Sequence, residues 1–166
     1  EDLAVTSRLD REVSGVVIFA RGAEAEARLR RAREEGRYAR RYVAIACGLA
    51  AEIARGTWDA PIGRGKDPRH RAAFGPDAKP STTRFLVAAR AGAFALLAIV
   101  PKTGRTHQIR VHAAHAGAPL LGDRDYGGPT RATLDGGRVV SLARIALHAA
   151  RVTVPGEDGA PVTAEA

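Results

Sequence analysis

The apolar residues of this chain fall into short runs broken by Gly, Pro and charged positions, and only two stretches repeat with a helical period. Val16-Val17-Ile18-Phe19-Ala20 is continuous and β-branched, which predicts a buried strand, fed by a turn at Ser14-Gly15. Residues 24–35 are Ala and straight-chain charged residues between Gly22 and Gly36, Glu first and Arg later, which predicts a helix. Its thin stripe of Ala places it on the surface. Over residues 40–48, Tyr42, Ala44 and Ala46 alternate with Val43, Ile45 and Cys47, as in a strand covered on both faces. A short turn at 49–53 and an extended segment at 56–63 follow, with Pro61 favouring an edge. Residues 64–79 read as a long basic loop carrying Arg64, Lys66, Arg69, His70, Arg71 and Lys79. Residues 81–89 and 93–100 form a hairpin about Ala91-Gly92. The second helical stretch runs from Thr106, a predicted N-cap, to Gly117, with Arg110, Ala113, Ala114 and Gly117 on one face. A Gly-rich loop at 120–128, a polar connector at 130–137, a last strand at 146–154 and a loosely held tail complete the chain. The order β-α-β-β-β-β-α-β predicts an α+β fold on a mixed, mostly antiparallel sheet with flanking helices, not a doubly wound one.

Composition changes this picture in one respect. The 166 residues carry 26 Lys+Arg against 18 Asp+Glu, a formal net charge of +8, and Arg dominates the cations. Guanidinium groups suit phosphate and stacking contacts, so nucleic acid is the expected partner. No apolar run approaches the roughly 20 residues of a membrane span, and no membrane partner is expected. The single Cys47 allows no internal disulfide, which together with the lack of a signal-peptide pattern predicts a reducing, cytoplasmic setting.

The candidate chemistry centres on Asp10, which stands between Arg8 and Arg11 just before the first apolar run. Nearby cations favour an ionised carboxylate, which can act as a nucleophile or simply close a surface ion pair. His107, His112 and His115 cluster, but no matched third ligand accompanies them, so no metal is expected. A second acid for glycoside chemistry could come from Asp59, Asp123 or Asp125, and nothing marks one of them. The Gly-rich loop is too irregular for a Walker-type phosphate cradle. A carboxylate, arginines and an aromatic side chain fit chemistry on a nucleobase taken out of its stack.

Arg8-Leu9-Asp10 with Ser14-Gly15, Arg41-Tyr42-Val43-Ala44 with Gly48, the block Gly104-Arg105-Thr106-His107-Gln108-Ile109-Arg110-Val111-His112, Leu121-Gly122-Asp123 with Tyr126-Gly127, and Leu147-His148-Ala149 occur in that order. Together they resemble the RluA-like family of RNA pseudouridine synthases. The resemblance implies the pseudouridine synthase fold and the isomerisation of uridine to pseudouridine in structured rRNA or tRNA, without cofactor or metal. It implies that Asp10 is the nucleophile that starts N-glycosidic cleavage. Tyr42 would stack on the base and accept the C5 proton, and Arg110 would pair with the nucleophile. Arg8 would enter the RNA where the uridine flips out, Leu147 would line the pocket, and Arg105, His107 and Gln108 would join the RNA-binding set.

Two positions depart from the family pattern: Ser7 stands where relatives carry His, and Val13 where they carry Thr. The family's opening strands and Lys-Pro-x-Gly stretch do not precede Asp10, and position 1 is Glu. The expectation is therefore a catalytic domain over residues 1–155 lacking its N-terminal strands, with an exposed sheet edge prone to self-association, and a tail at 156–166. Two other readings stay open: a non-catalytic RNA-binding module on the same fold, and a carboxylate-dependent nucleoside or glycoside hydrolase.

Overall fold

A computed structural model describes residues 2–166, and strand pairing dominates it. In chain order the elements are β1 (Leu3–Val5), β2 (Ser14–Gly15), β3 (Phe19–Arg21), α1 (Gly22–Glu34), β4 (Ala39–Cys47), β5 (Arg55–Trp58), β6 (Ile62–Arg64), β7 (Arg71–Ala73), β8 (Thr83–Ala91), β9 (Phe94–Pro101), α2 (Gln108–His115), β10 (Arg131–Thr133), β11 (Val139–Ser141), β12 (Leu147–Pro155) and β13 (Pro161–Glu165). The chain divides into two compact units, Glu1–Tyr42 with His148–Ala166, and Val43–Leu147. Strands β4 and β12 each begin in one unit and end in the other.

In the first unit β1 and β3 pair antiparallel, Leu3 opposite Arg21 and Val5 opposite Phe19. Alternation turns Ala4 and Ala20 inward and leaves Leu3, Val5 and Phe19 exposed. Helix α1 buries Leu29 and Ala32. Ala20, Leu29, Tyr38, Val152 and Val154 form the core, with Val16 and Ile18 packed against it. The apolar run at 16–20 is not the single buried strand its composition predicts. Its first three residues lie between β2 and β3, because Val16 N–H bonds to the Ala149 carbonyl while Thr6 holds the Ile18 carbonyl through both N–H and Oγ1. Strand β2 runs parallel to β12 and β13 runs antiparallel to it, so the pairing is mixed. The segment expected to be a loose tail is thus β13, from Pro155 opposite Pro161 to Arg151 opposite Glu165, fastened by an Arg151–Glu165 ion pair at 2.5 Å.

The second unit is built on the predicted hairpin, now β8 and β9, with a bulge between Val87 and Ala89. Strand β5 lies along the other side of β8, and the end of β4 flanks β9. Buried Leu97, Ile99, Ile109, Val111 and Leu120 supply its interior, and Trp58 stacks on Phe85 at 4.4 Å. On β4, Tyr42, Ala44 and Ala46 are buried as expected, but Val43 on the opposite face is exposed, so that face is only partly covered. The basic stretch at 64–79 is not a plain loop: β7 pairs with β6, Ile62 opposite Ala73 and Arg64 opposite Arg71. The polar connector likewise contains β10, paired with β11.

Helix α2 starts later than its sequence predicts. His107, not Thr106, precedes it, in a left-handed conformation with φ 56° and no side-chain cap. Its end is as expected: Gly117 N–H bonds to Ala114 O and Ala118 N–H to Ala113 O, the paired bonds of a Schellman stop. Among the described residues no helix is long and apolar enough to cross a membrane.

Candidate active site

The first unit carries Asp10, Tyr42 and Arg8. Asp10 opens a turn in which its carbonyl accepts the Val13 N–H at 3.0 Å, a position where Asp is favoured. The loop is fastened on both sides. Ser7, buried, takes the Ile18 N–H on its hydroxyl at 3.3 Å. On the other side Ser14 Oγ pairs with His148 Nδ1 at 2.9 Å, beside the two-residue parallel ladder of β2 on β12. Gly15 is required there. Its φ is +121°, and a Cβ would lie 2.3 Å from the Ala149 carbonyl oxygen. The Ser7 that departs from the family pattern therefore still ties down the acid-bearing loop.

Tyr42 is buried, and its phenol is pushed above its ordinary pKa by desolvation. The Arg40 guanidinium, hydrogen-bonded to it, opposes that rise, and the Asp10 carboxylate adds to it. Asp10 and Tyr42 thus act on one another electrostatically, and the phenol stays protonated at neutral pH. Arg8 is exposed.

The second unit carries Arg110, Arg105, His107, Gln108 and Leu147. Arg110 is only 4 % exposed. Its Nε and one terminal nitrogen bind the two oxygens of fully buried Asp123 at 2.9 and 2.8 Å, a fork-to-fork pair. The same terminal nitrogen reaches Asp125 at 2.9 Å, and this contact holds the Asp125 carboxyl below its usual range. The Tyr126 ring lies 4.8 Å from the guanidinium carbon. Asp123, Asp125 and Tyr126 were not expected as partners of Arg110. The signal was present in the Leu-Gly-Asp and Tyr-Gly pairs of the Gly-rich loop, which the resemblance quoted without giving them a role.

Gln108 is buried, with its amide fully engaged inside the protein. Its Oε1 accepts from Thr103 Oγ1 at 2.7 Å and from the Arg105 N–H at 2.9 Å. Its Nε2 donates to Thr82 O and Thr83 Oγ1, both at 3.0 Å. These bonds fix the approach to α2. His112, also buried, joins the same chain through Thr83 Oγ1 at 2.9 Å and donates from Nε2 to Ala60 O at 2.9 Å. Burial lowers its pKa and keeps the imidazole neutral. Arg105 is exposed at the head of α2, with Nε on Pro80 O at 3.2 Å. His107 Nδ1 lies 2.8 Å from the Tyr126 hydroxyl. Leu147 is buried. Among the described residues no group of three or more His, Cys, Asp or Glu could hold a metal ion.

The family model described as RNA pseudouridylate synthase matches residues 1–115. An uncharacterised RNA pseudouridine synthase of Chloroflexus aurantiacus is 40 % identical over 146 residues, 88 % of this chain and 43 % of the relative. The ribosomal large subunit pseudouridine synthase D of Pasteurella multocida is 38 % identical over 127 residues, 76 % of this chain and 39 % of the relative. The chain thus spans less than half the length of these curated relatives. Among solved structures, human RNA pseudouridylate synthase domain containing 1 superposes with a TM-score of 0.81 at 27 % identity, over 99 % of this chain and 69 % of that one. Human RNA pseudouridylate synthase domain containing 4 shares the fold, with a TM-score of 0.77 at 22 % identity, over 100 % of this chain and 71 % of that one. Fold, family model and relatives agree, and the chain belongs to the RluA-like family of RNA pseudouridine synthases.

Proposed function

We propose that this chain carries the catalytic machinery of an RNA pseudouridine synthase, isomerising uridines in structured rRNA or tRNA with Asp10 as nucleophile. The supporting observation is the acid-bearing loop itself. Asp10 opens a turn fastened through Ser7 on one side and Gly15 on the other, and its charge acts on the buried phenol of Tyr42. A nucleophile held on a fixed loop loses little freedom on reaching its transition state.

In this reading Asp10 begins the cleavage of the bond between ribose C1′ and uracil N1. The base turns, C5 bonds to C1′, and the C5 proton leaves as N1 takes one up, so the atoms of substrate and product are the same. Tyr42 first serves as a stacking face, since its phenol is protonated at neutral pH. To take the C5 proton it must first give up its own, and the Arg40 guanidinium is the group that lowers the cost of doing so. Arg110 serves as the guanidinium that assists the nucleophile, held by Asp123 and Asp125. Arg8 and Arg105, both exposed, contact the RNA, and the net charge of +8 supports that partner. The setting is cytoplasmic.

The test is tritium release from RNA labelled at uridine C5, using the full-length protein that contains this chain. Asp10→Asn abolishes release and leaves salt-dependent RNA binding intact. Turnover retained in Asp10→Asn removes the assignment. Binding without any release from the unaltered protein favours an RNA-binding module, and release of free uracil favours a hydrolase.

A further inference from the structure

Tyr126 sits in a short 3-10 turn, Arg124–Tyr126, and is tied to three separate parts of its unit. Its hydroxyl oxygen accepts the Arg71 N–H at 2.9 Å, at the start of β7 and the base of the basic hairpin. The same hydroxyl pairs with His107 Nδ1 at 2.8 Å. Its ring face lies under the Arg110 guanidinium, and the His107 ring meets it edge-on at 5.7 Å. His70, in the connection between β6 and β7, tilts against the ring at 5.8 Å and lies 3.7 Å from Asp125.

His107 adds a second and independent observation. It is one of three non-glycine residues with positive φ among those described. A left-handed conformation in such a residue stores strain of roughly 1–2 kcal/mol and persists only where neighbours hold it. The Tyr126 hydroxyl is such a neighbour. Through His107 it holds the short stretch before α2 that also carries Arg105.

We infer that Tyr126 is a positioning residue for the isomerisation, joining the basic hairpin and the head of α2 through its hydroxyl and orienting the Arg110 guanidinium through its ring. The inference rests on the reading above, in which Arg110 assists the nucleophile and the exposed arginines bind RNA. The two halves of the phenol have separable duties. The hydroxyl governs the stretch of His107 and Arg105, together with the foot of the hairpin, and so the capture of RNA. The ring governs the guanidinium plane, and so the chemical step.

The test compares Tyr126→Phe and Tyr126→Leu in the full-length protein. In Tyr126→Phe the Arg71 amide, deprived of its acceptor, exchanges with solvent at least about fivefold faster, as expected for a lost hydrogen bond. KM for RNA rises several-fold while kcat holds. In Tyr126→Leu kcat falls as well, by tenfold or more. A merely structural role would lower the folded fraction without separating KM from kcat. Unchanged Arg71 exchange in Tyr126→Phe, or kcat and KM moving together in both variants, overturns the inference. The exchange measurement needs no turnover, so it stands apart from the Asp10→Asn experiment. Should Tyr126→Leu fail to fold, the Tyr126→Phe exchange and KM decide alone.

Discussion

Asp123 has no solvent exposure, yet it carries a charge, and the Arg110 fork supplies the counter-charge and two of its hydrogen bonds. Removing one member of such a pair strands the other, at a cost of roughly 3–5 kcal/mol. Asp123→Asn therefore lowers stability by about that amount in urea unfolding at pH 7, whereas replacing both partners by apolar residues costs less. Two side chains here link stability to acid, over different ranges. Burial depresses the His112 pKa, so the unfolded chain takes up a proton before the folded one does. That contribution is complete above the ordinary histidine value near 6.5 and declines as the pH falls through the lower folded value. An NMR titration of the His112 ring should find its midpoint below the ordinary histidine value. Asp125 is depressed chiefly by its hydrogen bond to Arg110, and its contribution begins to fail only below the ordinary carboxylate range. The difference in melting temperature between the unaltered chain and Asp125→Asn should persist at pH 5 and shrink only once the pH falls below the ordinary carboxylate value.

Elements whose period or punctuation is local were legible in the sequence. Helix α1 opens at Gly22 and stops short of Gly36, and the β8–β9 hairpin turns at Gly92. Elements that exist only through a distant partner were not. Strand β7 is three residues without alternation, defined by β6, and β13 is defined by β12. Ser14 and Gly15 look like a turn, but form a strand because His148 and Ala149 lie alongside. The start of α2 was misread for a related reason. Thr106 has the chemistry of a cap, but the chain enters the helix through a strained His107 beside Tyr126, which no local preference reveals. Asp10 stood out by its place between two arginines, whereas Tyr42 and Arg110 were marked only by the family resemblance, and the carboxylates gripping Arg110 needed the folded Gly-rich loop. Two close approaches give the sharpest tests at this scale. Gly15→Ala sets a methyl against the Ala149 carbonyl and strains a positive φ, so the Val16 amide should lose its exchange protection. A Cβ on Gly128 would fall 1.8 Å from the Leu120 carbonyl oxygen, so Gly128→Ala should displace the loop that presents Asp123 and lower the melting temperature by several degrees.

For the molecule as a whole, the excess of arginine sets how binding responds to salt. Affinity for structured RNA should fall linearly on a log–log plot, by roughly 0.7–0.9 in slope for each phosphate neutralised, and Arg105→Ala should flatten that slope by about one such unit. The grip of β12 on β2 has a bearing on the order in which the protein is made. Ser14 and its histidine partner are 134 residues apart in the chain, and contacts between such remote residues close slowly. On the ribosome, the segment bearing Asp10 emerges near the beginning of this stretch and must wait for His148 and Ala149 before its clamp exists. A nascent chain halted before those two residues would expose the acid without the frame that aims it, so the loop would acquire its working shape only as synthesis of this region draws to a close.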